Sequence, residues 1–100
     1  MDEEEIVTEK LQFNVPLIKE SDMPEDQRNE ICEMVVSTFE KNQDEYDRAV
    51  LQIRQTLDEK YGKHWHCILG EAYGYDLTYV PKTFLQVYVA GFLGVTIWKS

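Results

Sequence analysis

Basic residues are scarce in this chain: ten Lys and Arg face nineteen Asp and Glu in 100 residues, a formal net charge of −9. Affinity for a phosphate backbone comes from cations that neutralise it, so nucleic acid is not expected as a partner. Long apolar runs are also missing. None approaches the ~18 residues of a membrane span, and Met1-Asp2-Glu3-Glu4-Glu5 is acidic where a secretory leader is basic and then apolar. The reading is of a soluble intracellular protein with no membrane partner. There are two cysteines, Cys32 and Cys67, and a reducing cytosol keeps such residues as thiols. Gly70, Gly74, Gly91 and Gly94 are dispersed and build no phosphate-cradling loop. His64 and His66 are the only histidines. Two apart on a strand, they share a face while Cys67 points the other way, which makes neither a triad nor a zinc quartet. No cofactor, metal or catalytic residue is expected.

What is present is a chain 43% apolar, enough for one domain with an ordinary core. Its charge is uneven: residues 1–60 hold seventeen acids and seven bases, and residues 61–100 two acids and three bases. Residues 1–10 read as a flexible acidic lead, and 11–100 as the domain. Leu11 to Ile18 nearly alternates apolar with polar, as a strand does, and Pro16 places it at a sheet edge. Asp22, Pro24 and Glu25 are spaced as a capping box with proline in the first turn, so a helix should follow, with Asp22 as its cap. Ile31, Met34, Val35 and Phe39 form its apolar stripe, and it should end near Asn42. A second stripe at Tyr46, Ala49, Val50, Ile53, Leu57 and Tyr61 runs to Gly62, the usual C-terminal stop.

Beyond Gly62 the segments shorten to strand length and fill with aromatic and β-branched residues. Strands are expected at Trp65–Leu69, Tyr73–Val80, Thr83–Val89 and Phe92–Trp98, with a break at Pro81-Lys82 and a tight hairpin through Ala90-Gly91. The plan is β-α-α-β-β-β-β, an α+β domain. Tyr73, Tyr75 and Tyr79 recur on one strand face, with Tyr88 and Trp98 on later strands. Such aromatics suit a core or an interface, and the pattern leaves both open. A sheet with an exposed edge and no catalytic set is suited to receive a peptide by strand addition. A cysteine-dependent enzyme built on Cys67 and His66 is the opposing reading, and it requires an exposed reactive thiol.

Asp22-Met23-Pro24-Glu25, Asp58-Glu59-Lys60-Tyr61-Gly62, Trp65-His66-Cys67-Ile68-Leu69-Gly70, Tyr73-Gly74, Thr78 and Trp98-Lys99-Ser100 resemble the small dimeric dynein light chains, from about Phe13 to Ser100. Within that family they are most similar to the axonemal light chain 4 branch. The resemblance implies a dimer in which two helices pack on each antiparallel sheet and a strand swapped from the partner completes it. It implies a peptide-binding groove of Tyr73, Gly74, Tyr75, Asp76, Leu77, Thr78, Tyr79 and Tyr88, and a dimer interface including His66, Tyr73, Tyr75 and Leu77. The implied function is that of a non-catalytic light chain subunit of a dynein motor. It would hold extended segments of dynein intermediate or heavy chains and pair with itself or with a paralogous light chain. The implied location is the cytoplasm and cytoskeleton, in a ciliary or flagellar axoneme. A general dimerising adaptor for non-dynein cytosolic clients would use the same groove. Relatives that bind Thr-Gln-Thr type peptides carry a histidine in place of Tyr79, a tyrosine in place of Gln86, an arginine in place of Glu71 and a basic residue near Glu45-Tyr46-Asp47. The loss of positive charge should change the clients accepted.

Overall fold

The computed structural model describes residues 16–70 and 77–100. They form β1 (Leu17–Ser21), α1 (Glu25–Lys41), α2 (Tyr46–Tyr61), β2 (Trp65–Leu69), β3 (Leu85–Val89) and β4 (Leu93–Lys99). The strands make one antiparallel sheet in the order β1-β3-β4-β2. The α+β plan expected from the sequence is therefore present, with four strands among the described residues.

Both helices lie where the apolar stripes put them. Ile31, Val35 and Phe39 recur four apart along α1, as do Ala49, Ile53 and Leu57 along α2, and all are buried. They pack against Trp65, Cys67, Leu85, Val87, Val89, Val95 and Ile97, the alternate residues of β2, β3 and β4, in one apolar core. Asn42 follows α1, its side-chain amide donating to the Thr38 carbonyl at 2.8 Å. Gly62 ends α2 with φ of 82°, a left-handed backbone that suits glycine. The Lys99 ammonium donates to the Tyr61 carbonyl at 3.2 Å, meeting an acceptor the helix end leaves open. The β3–β4 turn carries positive φ at both Ala90 (57°) and Gly91 (77°), as mirror-type hairpin turns require.

Glu30 of α1 ties the two helices together on their outer surface. Its carboxylate accepts the Tyr61 hydroxyl at 2.5 Å and pairs with the Lys60 ammonium. Lys60 first and Tyr61 second hold the Glu30 carboxyl below its usual range. Burial, then the hydrogen bond to Glu30, pushes the Tyr61 phenol up to about 12. Unfolded tyrosine titrates near 10, so the unfolded chain releases this proton first and folding is favoured less as pH rises. Stability from this group should be complete below pH ~10 and lost towards pH ~12, and Tyr61→Phe should flatten that limb in denaturant titrations.

Three expectations need correction. The first described strand, Leu17–Ser21, starts after Pro16 and runs past the expected end at Ile18; residues 11–15, and with them the boundary expected at Leu11, lie outside those described. It is an edge strand as expected, but β3 sets its register, from Leu17 opposite Tyr88 to Ser21 opposite Leu85. Asp22 does not cap α1, which starts after Pro24 without a side-chain cap; both its oxygens are taken from elsewhere, as described below. Of the strand expected over Tyr73–Val80, residues 73–76 lie outside those described, and Leu77–Val80 join no ladder among the described residues. The later strands start one or two residues after their expected first residues.

Candidate functional site

The sheet has two unlike faces. One is covered by α1 and α2. The other, by alternation, carries His66 and Ile68 of β2, Gln86 and Tyr88 of β3, and Gly94, Thr96 and Trp98 of β4. Direct register makes rows across it: Gln86 beside Thr96 beside Ile68, Tyr88 beside Gly94, and Trp98 beside His66. His66 and Trp98 stack with ring centroids 5.2 Å apart, and His66 Nε2 shares a 2.8 Å hydrogen bond with Ser100 Oγ. A Cβ on Gly94 would stand 3.3 Å from Tyr88 Cε1, so glycine lets the tyrosine ring lie close over β4.

A polar seam crosses the middle of this face. Gln86 and Thr96 are fully buried. The Gln86 amide donates to Thr96 Oγ1 at 3.3 Å, and the Thr96 hydroxyl donates to the Gly70 carbonyl at 2.8 Å. Gln86 Oε1 has no hydrogen-bond partner among the described residues. Next to Gly70, β2 forms one edge of the described sheet with β4 as its only neighbour, so the outer backbone groups of Trp65–Leu69 have no partner strand among the described residues. Ile68 and Leu69 stay about two-fifths exposed there, at 39% and 38%.

The expected groove residues are only partly brought together. Tyr73, Gly74, Tyr75 and Asp76 lie outside the described residues. Leu77 and Tyr79 are half-buried and Thr78 is exposed. Tyr88 and His66 share the helix-free face. Tyr79 meets Phe84 at 5.5 Å with the rings tilted by 38°, and donates its hydroxyl to Asp22 Oδ2 at 3.2 Å. Burial first, then the Asp22 charge, pushes its phenol up.

Asp22 is the residue whose role the sequence concealed. Besides the Tyr79 hydroxyl, its carboxylate accepts the Lys82 N–H at 3.0 Å and the Phe84 N–H at 2.9 Å. Ser21 Oγ beside it donates to the Phe84 carbonyl at 2.9 Å. The spacing to Glu25 suggested a local cap, but the donors arrive from about sixty residues downstream.

The opposing chemistry finds little to work with. Cys67 is buried in the core, which pushes its thiol up to about 12, far from the thiolate a nucleophile needs. Burial also pushes Cys32 up. Among the described residues, no three His, Cys, Asp or Glu side chains are grouped so as to hold a metal ion. No helix among them is long and apolar enough to cross a membrane.

Comparison with known proteins agrees with this architecture. The dynein light chain-like domain of a calcium-binding protein from Fasciola hepatica superposes with a TM-score of 0.73 at 19% identity, covering 85% of this chain and 91% of that one. This likeness shows the fold. The sequence is 39% identical over 84 residues to dynein axonemal light chain 4 of Homo sapiens, covering 84% of this chain and 80% of the relative. It is 32% identical over 95 residues to a cytoplasmic dynein light chain of Emericella nidulans, covering 95% and 99%. With residues 15–100 matching the family described as dynein light chain type 1, the chain belongs to the dynein light chain family.

Proposed function

We propose that this chain is a non-catalytic subunit of a dynein motor, a dimeric clamp that binds extended segments of dynein intermediate or heavy chains by strand addition. The observation that carries the reading is a mismatch of strands and edges. Leu77–Tyr79, read from sequence as part of a strand, joins no ladder among the described residues, while β2 ends the described sheet with an open side. Passing the first to the second of a partner copy satisfies both, and the exchanged strand then offers its own outer side to a client. Tyr73, Gly74, Tyr75, Asp76, Leu77, Thr78, Tyr79 and Tyr88 line the groove in this reading, with His66 at the dimer interface. Two weak sites on one dimer gain strength when the client is itself paired. The relatives named axonemal support a place in the cytoskeleton of a cilium or flagellum.

The test combines sedimentation equilibrium with calorimetric titration of extended peptides taken from dynein intermediate and heavy chains. A dimer that binds one peptide per protomer is expected. A dimer that takes none of them, while capturing cytosolic clients free of dynein chains, would replace the motor-subunit reading with a general adaptor. A monomer at all concentrations would remove the clamp altogether.

A further inference from the structure

The stretch that the dimer reading sends across to a partner is held at each end by contacts within its own chain. At the departing end, the Gly70 N–H donates to the Gly94 carbonyl at 2.7 Å and the Gly70 carbonyl accepts Thr96 Oγ1 at 2.8 Å. At the returning end the Val80 N–H donates to the Lys99 carbonyl at 2.8 Å, and Thr83 Oγ1 donates to the Val80 carbonyl at 2.7 Å. Asp22 then receives the Tyr79 hydroxyl and the Lys82 and Phe84 N–H groups together. Its own N–H donates back to the Phe84 carbonyl at 3.2 Å. Lys82 has a φ of 66°, a left-handed backbone unfavourable for a lysine. With its N–H on Asp22 Oδ2, that conformation is maintained by the carboxylate.

We propose that Asp22 is a positioning residue for dimerisation, fixing the point at which the crossing strand returns to its own chain and thereby setting how tightly two copies hold one another. The proposal rests on the exchanged-strand dimer above. A strand whose return is already fixed has fewer residues to order when it docks on a partner. Without the carboxylate, the segment from Tyr79 to Phe84 loses three of its anchors, and ordering it must be repeated in each association. A helix cap would act differently: its loss would fray α1 and leave the return point alone.

The experiment compares the wild type with Asp22→Ala, Asp22→Asn and Tyr79→Phe by sedimentation over a concentration series. Amide exchange at Lys82 and Phe84 and phenolate absorbance on alkaline titration are followed in parallel. Asp22→Ala should raise the dimer dissociation constant on the order of tenfold or more. It should also speed exchange at both amides and let Tyr79 titrate at lower pH, with the helical circular dichroism unchanged. Asp22→Asn retains one acceptor oxygen and should fall between. Tyr79→Phe keeps both backbone anchors and should shift the constant least. If the wild type dimerises and a folded Asp22→Ala, or a folded Asp22→Asn with faster Lys82 exchange, dimerises equally well, this proposal fails and the dimer stands. A wild type that is monomeric at every concentration overturns both.

Discussion

Replacing Phe39 with alanine should cost about 3–5 kcal/mol, the range found for large aromatic to alanine changes in a close-packed core. Phe39 is fully buried on α1. It belongs to the same cluster as Val35, Ile53 and Leu57, and meets Tyr46 edge-on at 5.7 Å with the rings inclined at 77°. It therefore joins the start of α2 to the last turn of α1, and an alanine there loses apolar burial and the aromatic pair while leaving a void. Against a total of about 5–15 kcal/mol for a domain, that is enough to leave much of the protein unfolded at body temperature. Guanidinium unfolding gives the number directly. A loss below about 1 kcal/mol would mean that α1 and α2 do not share the packing described.

The second large effect has the opposite sign. Gln86→Met should raise stability by about 1–3 kcal/mol, the cost assigned to a buried polar group left without its hydrogen bond. The Gln86 side chain is fully buried; among the described residues its carbonyl oxygen has no partner and its amide makes one long contact, of 3.3 Å to Thr96. Methionine matches its length and removes the orphaned oxygen, while Thr96 keeps its shorter bond to the Gly70 carbonyl at 2.8 Å. Thermal and denaturant unfolding of the two proteins decide the matter. Should the variant be less stable, a donor reaches Oε1 in solution, and the helix-free face is where that donor must be sought.

Much of this fold was legible because its determinants are local. The stripes Ile31, Val35, Phe39 and Ala49, Ile53, Leu57 record helical spacing directly, and Gly62 marks the stop in the left-handed backbone it adopts. His66 and Cys67 fell on opposite faces, as strand alternation demands. The failures share another character. β1 contains Lys19, Glu20 and Ser21, residues with no strand signal, and it is a strand because β3 lies alongside. Asp22 looked like a cap because a carboxylate with glutamate three residues on usually is one, and the amides that claim it come from Lys82 and Phe84. The burial of Gln86 was equally hidden, since a polar residue between apolar ones reads as the solvent side of a strand. The candidate site drew on both kinds of information: its tyrosines stood out by composition, while what holds Tyr79 in place, the Asp22 carboxylate, is long-range.

The strand order also dictates when the domain can assemble. β4 lies between β3 and β2, yet it is the last of the described elements to leave the ribosome. Until Leu93–Lys99 has been synthesised, β2 has no pairing partner among the described strands, and β1 must wait across some seventy residues for β3, from Leu17 to Tyr88. The two helices, joined by a short turn, can form and meet early, and the β3–β4 hairpin closes locally, whereas the β1–β3 and β2–β4 ladders are late, long-range events with a larger closure cost. A newly made chain therefore passes through an interval of helical pair and bare strands, when a neighbouring nascent copy competes with its own final strand for the same edge.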